Sequence, residues 1–202
     1  LLKDFFYNKI SERSEIEKNT QVPILGEISY SKKLSNVLIP YRSRSIIAEQ
    51  LRLIRANLQF FSSENKNQTI LVTSFISGEG KSFTAINLAN SLAATQAKVL
   101  LIDIDLRKPK VDEYLKINSS KGLTDFLVKN TPIEEIIIHH SGETNFDVIT
   151  AGPVPPNPTE LLMRDKMNTL FEYTKAQYDY IVIDSSPVGL VADSFVTNHF
   201  RS

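Results

Sequence analysis

Four short apolar runs, each separated from the next by a stretch of helical spacing, constrain this chain most. They are Thr69–Ser74, Lys98–Ile102, Phe146–Thr150 and Tyr180–Ile183. Each run is continuous rather than alternating, the mark of strands buried on both faces. Between them, Phe83–Ala94 and Thr159–Gln177 have helical periodicity, and residues 122–129 and 132–139 read as short helices. Strands alternating with helices build a mostly parallel sheet with helices on both sides. The expected class is therefore α/β, a three-layer sandwich, and 202 residues can bury one such core. Ahead of it, Ile46, Ile47, Leu51, Ile54, Leu58 and Phe61 mark a helix that Ser43 or Ser45 is placed to cap. Residues 1–44 read as a linker with a short helix and an extended segment at Val22–Ile28. Residues 45–202 read as the folded domain.

Composition removes several function classes. Lys+Arg and Asp+Glu both number 23, so there is no basic excess to serve a nucleic acid, and none is expected as a partner. The absence of cysteine excludes a disulfide scaffold and a thiolate zinc site. No apolar run in the sequence is long enough to cross a bilayer.

The first motif lies between the first strand and the next helix: Ser77, Gly78, Glu79, Gly80, Lys81, Ser82 and then Phe83. Glycines at a strand-to-helix turn let the backbone approach an anion closely, and the amides of the helix start point into the turn. Lys81 can reach the β- and γ-phosphates of a bound ATP, and the Ser82 hydroxyl can ligate Mg²⁺. The strict pattern places glycine where this chain has Phe75. With this loop, the expected fold narrows to a sandwich like that of P-loop nucleotide triphosphatases.

Two acidic strand ends complete the set. The run ending at Ile102 continues into Asp103-Ile104-Asp105, and the run ending at Ile183 continues into Asp184. Ligands of open α/β sheets lie beyond the carboxyl ends of the strands, so these carboxylates are expected beside the glycine loop. Asp103 and Asp105 share a face if the strand runs through both. Three carboxylates near one point repel unless a cation intervenes, which implies Mg²⁺.

The segment Leu100–Pro109, with two aspartates followed by Arg107 and Pro109, resembles a signature of the bacterial tyrosine kinases of polysaccharide co-polymerase systems. The run Ala151–Leu162, rich in Pro and containing Asn157 and Glu160, is similar to another. The helix bearing Glu49, Arg52 and Arg55 is similar to a third, and Asp184-Ser185-Ser186-Pro187 matches the family's second acidic turn. The resemblance implies an ATP- and Mg²⁺-dependent protein-tyrosine kinase regulating capsular or exopolysaccharide synthesis and export. Lys81, Asp103 and Asp105 would be catalytic, with Asp103 orienting or deprotonating the acceptor hydroxyl, and Ser82, Asp105 and Asp184 would hold Mg²⁺. Glu49, Arg52 and Arg55 would contact a neighbouring subunit in a ring. Tyrosine-containing proteins would be substrates. A transmembrane co-polymerase segment would precede Leu1 and hold the domain at the cytoplasmic face of the bacterial inner membrane.

Relatives of this kind continue further past the second acidic strand. The sheet is thus expected to lack its last strands, leaving Tyr180–Ile183 or a neighbour as an edge. The tyrosines stand at 7, 30, 41, 114, 173, 178 and 180, with no cluster near Ser202. Two other functions compete. One is a MinD/ParA-like switch ATPase, whose additional loop lysine is replaced by Ile76. The other is a non-catalytic module that only assembles a ring.

Overall fold

A computed structural model describes residues 10, 12–30, 37–61 and 67–189. Five strands form one sheet: β1 (Gln68–Val72), β2 (Val99–Asp103), β3 (Ile138–His140), β4 (Phe146–Ile149) and β5 (Tyr180–Asp184). Their order is β1-β5-β2-β4-β3, with β3 antiparallel to β4 and every other pair parallel.

Side chains alternate across this sheet as strand geometry requires. Leu100, Ile102, Ile149, Ile181 and Ile183 face one core, which is closed by α5 (Leu123–Lys129), α6 (Pro158–Leu162) and α7 (Lys166–Lys175). Val99, Leu101, Val148 and Val182 face the other, closed by α3 (Lys81–Ala93). Small residues Ala85, Ala89 and Ala93 on α3 bring that helix close to the sheet. A further helix, α2 (Ile46–Phe61), packs over α3 through a satellite cluster of Ile39, Ile47, Ala48 and Leu51. Ser45 caps α2, accepting from the Ala48 amide at 3.3 Å, while Ser43 braces Ser45. The arrangement is the expected three-layer sandwich.

Three local expectations are corrected. The stretch 132–139 is not a helix; one 3₁₀ turn at Ile133–Glu135 gives way to β3. Its β-branched run Ile136-Ile137-Ile138 favours extended backbone, and β4 offers a pairing edge. The stretch 159–177 is two helices, α6 and α7. Arg164 and Lys166, at the break, donate to the Leu127 and Phe126 carbonyls at 3.0 Å each, satisfying the open end of α5. Val22–Ile28 forms no strand; α1 (Arg13–Asn19) precedes it, and Asn57 holds the Leu25 carbonyl at 2.6 Å. Of the two alternatives for an edge, Tyr180–Ile183 or a neighbour, the neighbour is the one: Tyr180–Ile183 lies between β1 and β2, and among the described residues the edges are β1 and β3. A helix not anticipated, α4 (Val111–Leu115), follows the acidic end of β2.

Candidate phosphate-binding site

Register decides where the acidic residues meet. Val72 of β1 pairs with Asp184 of β5, and Asp184 pairs with Asp103 of β2. Three neighbouring strands therefore end at one level, and the loop leaving β1 passes in front of both carboxyls. That loop runs from residue 73 to Gly80, where α3 begins. Gly78 and Gly80 have φ of 91° and 89°, the left-handed region that glycine enters without a Cβ penalty. The described backbone places Phe75 outside that region, so a side chain is tolerated there; it points outward, 70% exposed. This accounts for the departure from glycine at position 75.

The loop is braced from two sides. Glu79 Oε2 accepts the Phe75 and Ile76 amides at 2.8 and 3.2 Å. On the other side, the turn after β5 continues the β1–β5 ladder: Ser185, Val188 and Gly189 amides donate to the Val72, Ser74 and Phe75 carbonyls at 3.1, 2.9 and 3.0 Å. Neither Glu79 as a brace nor this zipper is visible in the sequence, because each depends on backbone groups meeting across a turn.

Lys81 sits at the centre. Its Nζ lies 2.8 Å from Asp105 Oδ2 and 3.4 Å from Asp184 Oδ1, and all three side chains are buried. Ser82 Oγ is 3.4 Å from the same Nζ. Burial acts to raise the Asp105 carboxyl, but the hydrogen bond and charge of Lys81 overcome it and hold Asp105 below the ordinary carboxylate range. Burial pushes Asp184 up, with Lys81 and Ser82 opposing. Asp103 is pushed up to about 8 by burial and by the nearby Asp184. Part of the repulsion that the sequence assigns to Mg²⁺ is relieved here by Lys81, which lies against Asp105 and Asp184.

Asp103 and Asp105 do not share a strand face, since β2 ends at Asp103. Asp103 Oδ1 accepts the Asp105 amide at 2.9 Å, and Oδ2 lies 3.3 and 3.4 Å from the Val111 and Lys110 amides. Asp103 thus anchors the turn that carries Asp105 and the start of α4. Ser186, a residue the motif reading left without a role, donates to Asp105 Oδ1 at 2.9 Å.

The other expected site residues divide. Ser77, Gly78, Glu79 and Gly80 form the exposed loop, and Ser82 is buried at its base. Phe83 turns away and packs on the satellite cluster under α2, so only its backbone can serve an anion. Arg107 donates to Thr159 at 3.0 Å, joining the acidic signature to the Pro-rich segment. Glu49, Arg52 and Arg55 do lie along α2, but both guanidiniums have partners within the chain. Arg52 bonds Glu49 and the Tyr41 and Ser43 carbonyls, and Arg55 bonds the Ser91 carbonyl at 2.6 Å. Serving a neighbour would mean giving up those carbonyls.

The donor set suits a nucleotide with Mg²⁺. Asp184 Oδ2 is buried without a hydrogen-bond partner, beside the hydroxyl of Ser82, at the mouth of an amide-lined loop. An orphaned carboxylate oxygen is costly unless a cation or donor reaches it.

A glycine loop between β1 and α3, with acidic ends on the two strands next in line, defines a P-loop nucleotide-binding domain. The AAA domain family matches residues 67–197. Tyrosine-protein kinase YwqD of Bacillus subtilis is 41% identical over 164 residues, covering 81% of this chain and 69% of that protein. The chain belongs to this family of bacterial tyrosine kinases. Tyrosine-protein kinase etk of Escherichia coli is 37% identical over 148 residues, covering 73% of this chain, which thereby spans only 20% of that longer protein. The solved kinase domain of Escherichia coli ETK superposes with a TM-score of 0.82 at 30% identity, covering 92% of this chain and 77% of that one. More distant is septum site-determining protein MinD of Pyrococcus horikoshii, complexed with Mg-ADP: TM-score 0.50, 25% identity, covering 58% of this chain and 48% of that one.

Proposed function

We propose that this chain is the ATP-dependent protein-tyrosine kinase domain of a system that makes or exports a capsular or extracellular polysaccharide. The observation that carries the reading is the convergence of Lys81, Asp105 and Asp184 in front of the glycine loop, in a chain 41% identical to a tyrosine-protein kinase. Lys81 and the loop amides would hold the phosphates, and Ser82, Asp105 and Asp184 would hold Mg²⁺. The metal, when bound, neutralises charge that develops on the transferred phosphoryl group. Lys81 would leave Asp105 and Asp184 as that positive charge replaces its own. Asp103 serves as a positioning residue, fixing the turn on which Asp105 rides. Phosphoryl transfer relies on alignment and charge neutralisation rather than on a strong base, so a protonated Asp103 is compatible with it.

The expected setting is the cytoplasmic face of the bacterial inner membrane, beside a transmembrane co-polymerase segment. No helix among the described residues is long and apolar enough to cross a membrane. Self-association into a ring through Glu49, Arg52 and Arg55 belongs to the same reading. The alternative of a switch ATPase is weakened by Ile76, an exposed apolar residue where those proteins carry a lysine. The test is incubation with ATP and Mg²⁺, followed by phosphotyrosine detection on the chain and on a glutamate–tyrosine copolymer. Phosphate release with no phosphotyrosine on either would reject the kinase in favour of the ATPase.

A further inference from the structure

A tyrosine kinase needs an acceptor hydroxyl that can enter a catalytic site, and the described tyrosines differ sharply in that capacity. Tyr178 is buried and its hydroxyl donates to Asp147 at 2.6 Å. Tyr114 and Tyr180 are half-buried against the α3 core, and Tyr173 is half-buried against the opposite one. Tyr41 is 36% exposed, but its carbonyl is held by Arg52 at 2.9 Å. Tyr30 is 87% exposed, lies in backbone without regular secondary structure, and belongs to none of the core clusters.

Its base is firmly placed. Gln50 of α2 accepts the Ser29 amide at 2.9 Å and donates to the Ser29 hydroxyl at 2.8 Å. Ile28 packs on the satellite cluster, and Gly26 lies against Ile54. Tyr30 is therefore the first residue beyond an anchored segment, with its whole ring presented outward.

We propose that Tyr30 is a phosphorylation site of this chain, modified by the nucleotide site of a second copy. This rests on the kinase reading above. In the step, a bond forms between the Tyr30 Oη and the γ-phosphorus of ATP. The bond from that phosphorus to the β–γ bridging oxygen breaks, ADP leaves with its electron pair, and the phenolic proton is released to solvent. The product is a dianionic phosphotyrosine next to Ser29, which Gln50 of α2 holds.

The experiment mixes wild-type chain with an excess of isotopically heavy Lys81→Met chain, in ATP and Mg²⁺, with the glutamate–tyrosine copolymer present. Peptide mass spectrometry then locates phosphate. The expected result is a labelled copolymer and phosphate on Tyr30 of the heavy chain, lost in a heavy chain carrying Tyr30→Phe as well. Wild-type chain with Tyr30→Phe should label the copolymer as fast as the parent does. A labelled copolymer with unmodified Tyr30 overturns the acceptor assignment and leaves the kinase standing. Phosphate on Tyr30 of the light chain alone overturns transfer between copies. No phosphate on copolymer or chain overturns the kinase reading, and this inference with it.

Discussion

Replacing Lys81 by Met tests how the site holds itself together. The substitution keeps most of the side-chain volume, so little of its effect comes from packing. What it removes is the only cation touching Asp105 and Asp184 among the described residues, at 2.8 and 3.4 Å. Side-chain exposure is 9% for Lys81, 5% for Asp105 and 0% for Asp184, so solvent screens this cluster weakly. Removing one partner of a buried pair strands the other charge and costs about 3–5 kcal/mol. Asp184 can shed its charge by taking a proton, which places the expected loss near the lower bound, about 3 kcal/mol. For a domain of this size that corresponds to a fall in melting temperature of roughly 6–12 °C. The pH dependence has a definite sign. In the parent chain Asp105 is held below its ordinary pKa, so it contributes stability above about pH 4 that disappears as pH falls through its folded pKa. The variant lacks that contribution, so the gap should be widest near neutral pH and close toward acid. Urea unfolding at several pH values measures it. The double variant Lys81→Met, Asp105→Asn removes a stranded charge and should regain part of the loss. A single variant within ~0.5 kcal/mol of the parent, or a double variant no more stable than the single, would refute the pairing. A fold-neutral Lys81→Met, the natural expectation for a loop lysine, is thus not what this geometry supports.

Three more outcomes follow from named contacts. Asp103 holds its proton to about pH 8 while the unfolded chain releases it near pH 4, so stability should fall as pH rises between those values, by at most about 1.4 kcal/mol per unit. Asp103→Asn, still facing Lys81, Asp105 and Asp184, should flatten that slope in urea midpoints from pH 5 to 8; an unchanged slope would assign the proton elsewhere. Glu79→Ala frees the Phe75 and Ile76 amides, and calorimetric nucleotide affinity should drop by roughly tenfold, equivalent to one charge-assisted hydrogen bond. Glu79→Gln, which keeps an acceptor oxygen, should lose less, and equal affinities in all three would contradict the bracing role. A Cβ on Gly122 would lie 2.4 Å from Gly152 N and 2.5 Å from Thr150 O, both backbone atoms that cannot swing aside. Gly122→Ala should therefore cost roughly 1–3 kcal/mol or more in thermal unfolding, and a neutral result would show that the α5–β4 contact yields easily.

Much of this protein was determined by the sequence alone, because its signals are local. Four of the five strands are short continuous apolar runs, and periodicity finds them within a residue or two. The glycine loop between β1 and α3 is equally local, as are the acidic residues at the ends of β2 and β5. The fifth strand, β3, escaped because three residues following a helical turn carry no period of their own. Only the tertiary structure decided which strand tips are neighbours. The order β1-β5-β2 puts Tyr180–Asp184 inside the sheet with its neighbour β1 at the edge, and it aligns Val72, Asp184 and Asp103 at one level. Strand order is a contest among distant segments for the same backbone hydrogen bonds, and no short window of residues records it. The same holds for side-chain partners. Lys81 on Asp105, Asp103 on the amides before α4, Phe83 beneath α2 and Arg52 on the Tyr41 carbonyl each depend on which elements come together, and the buried charges take their protonation states from that meeting.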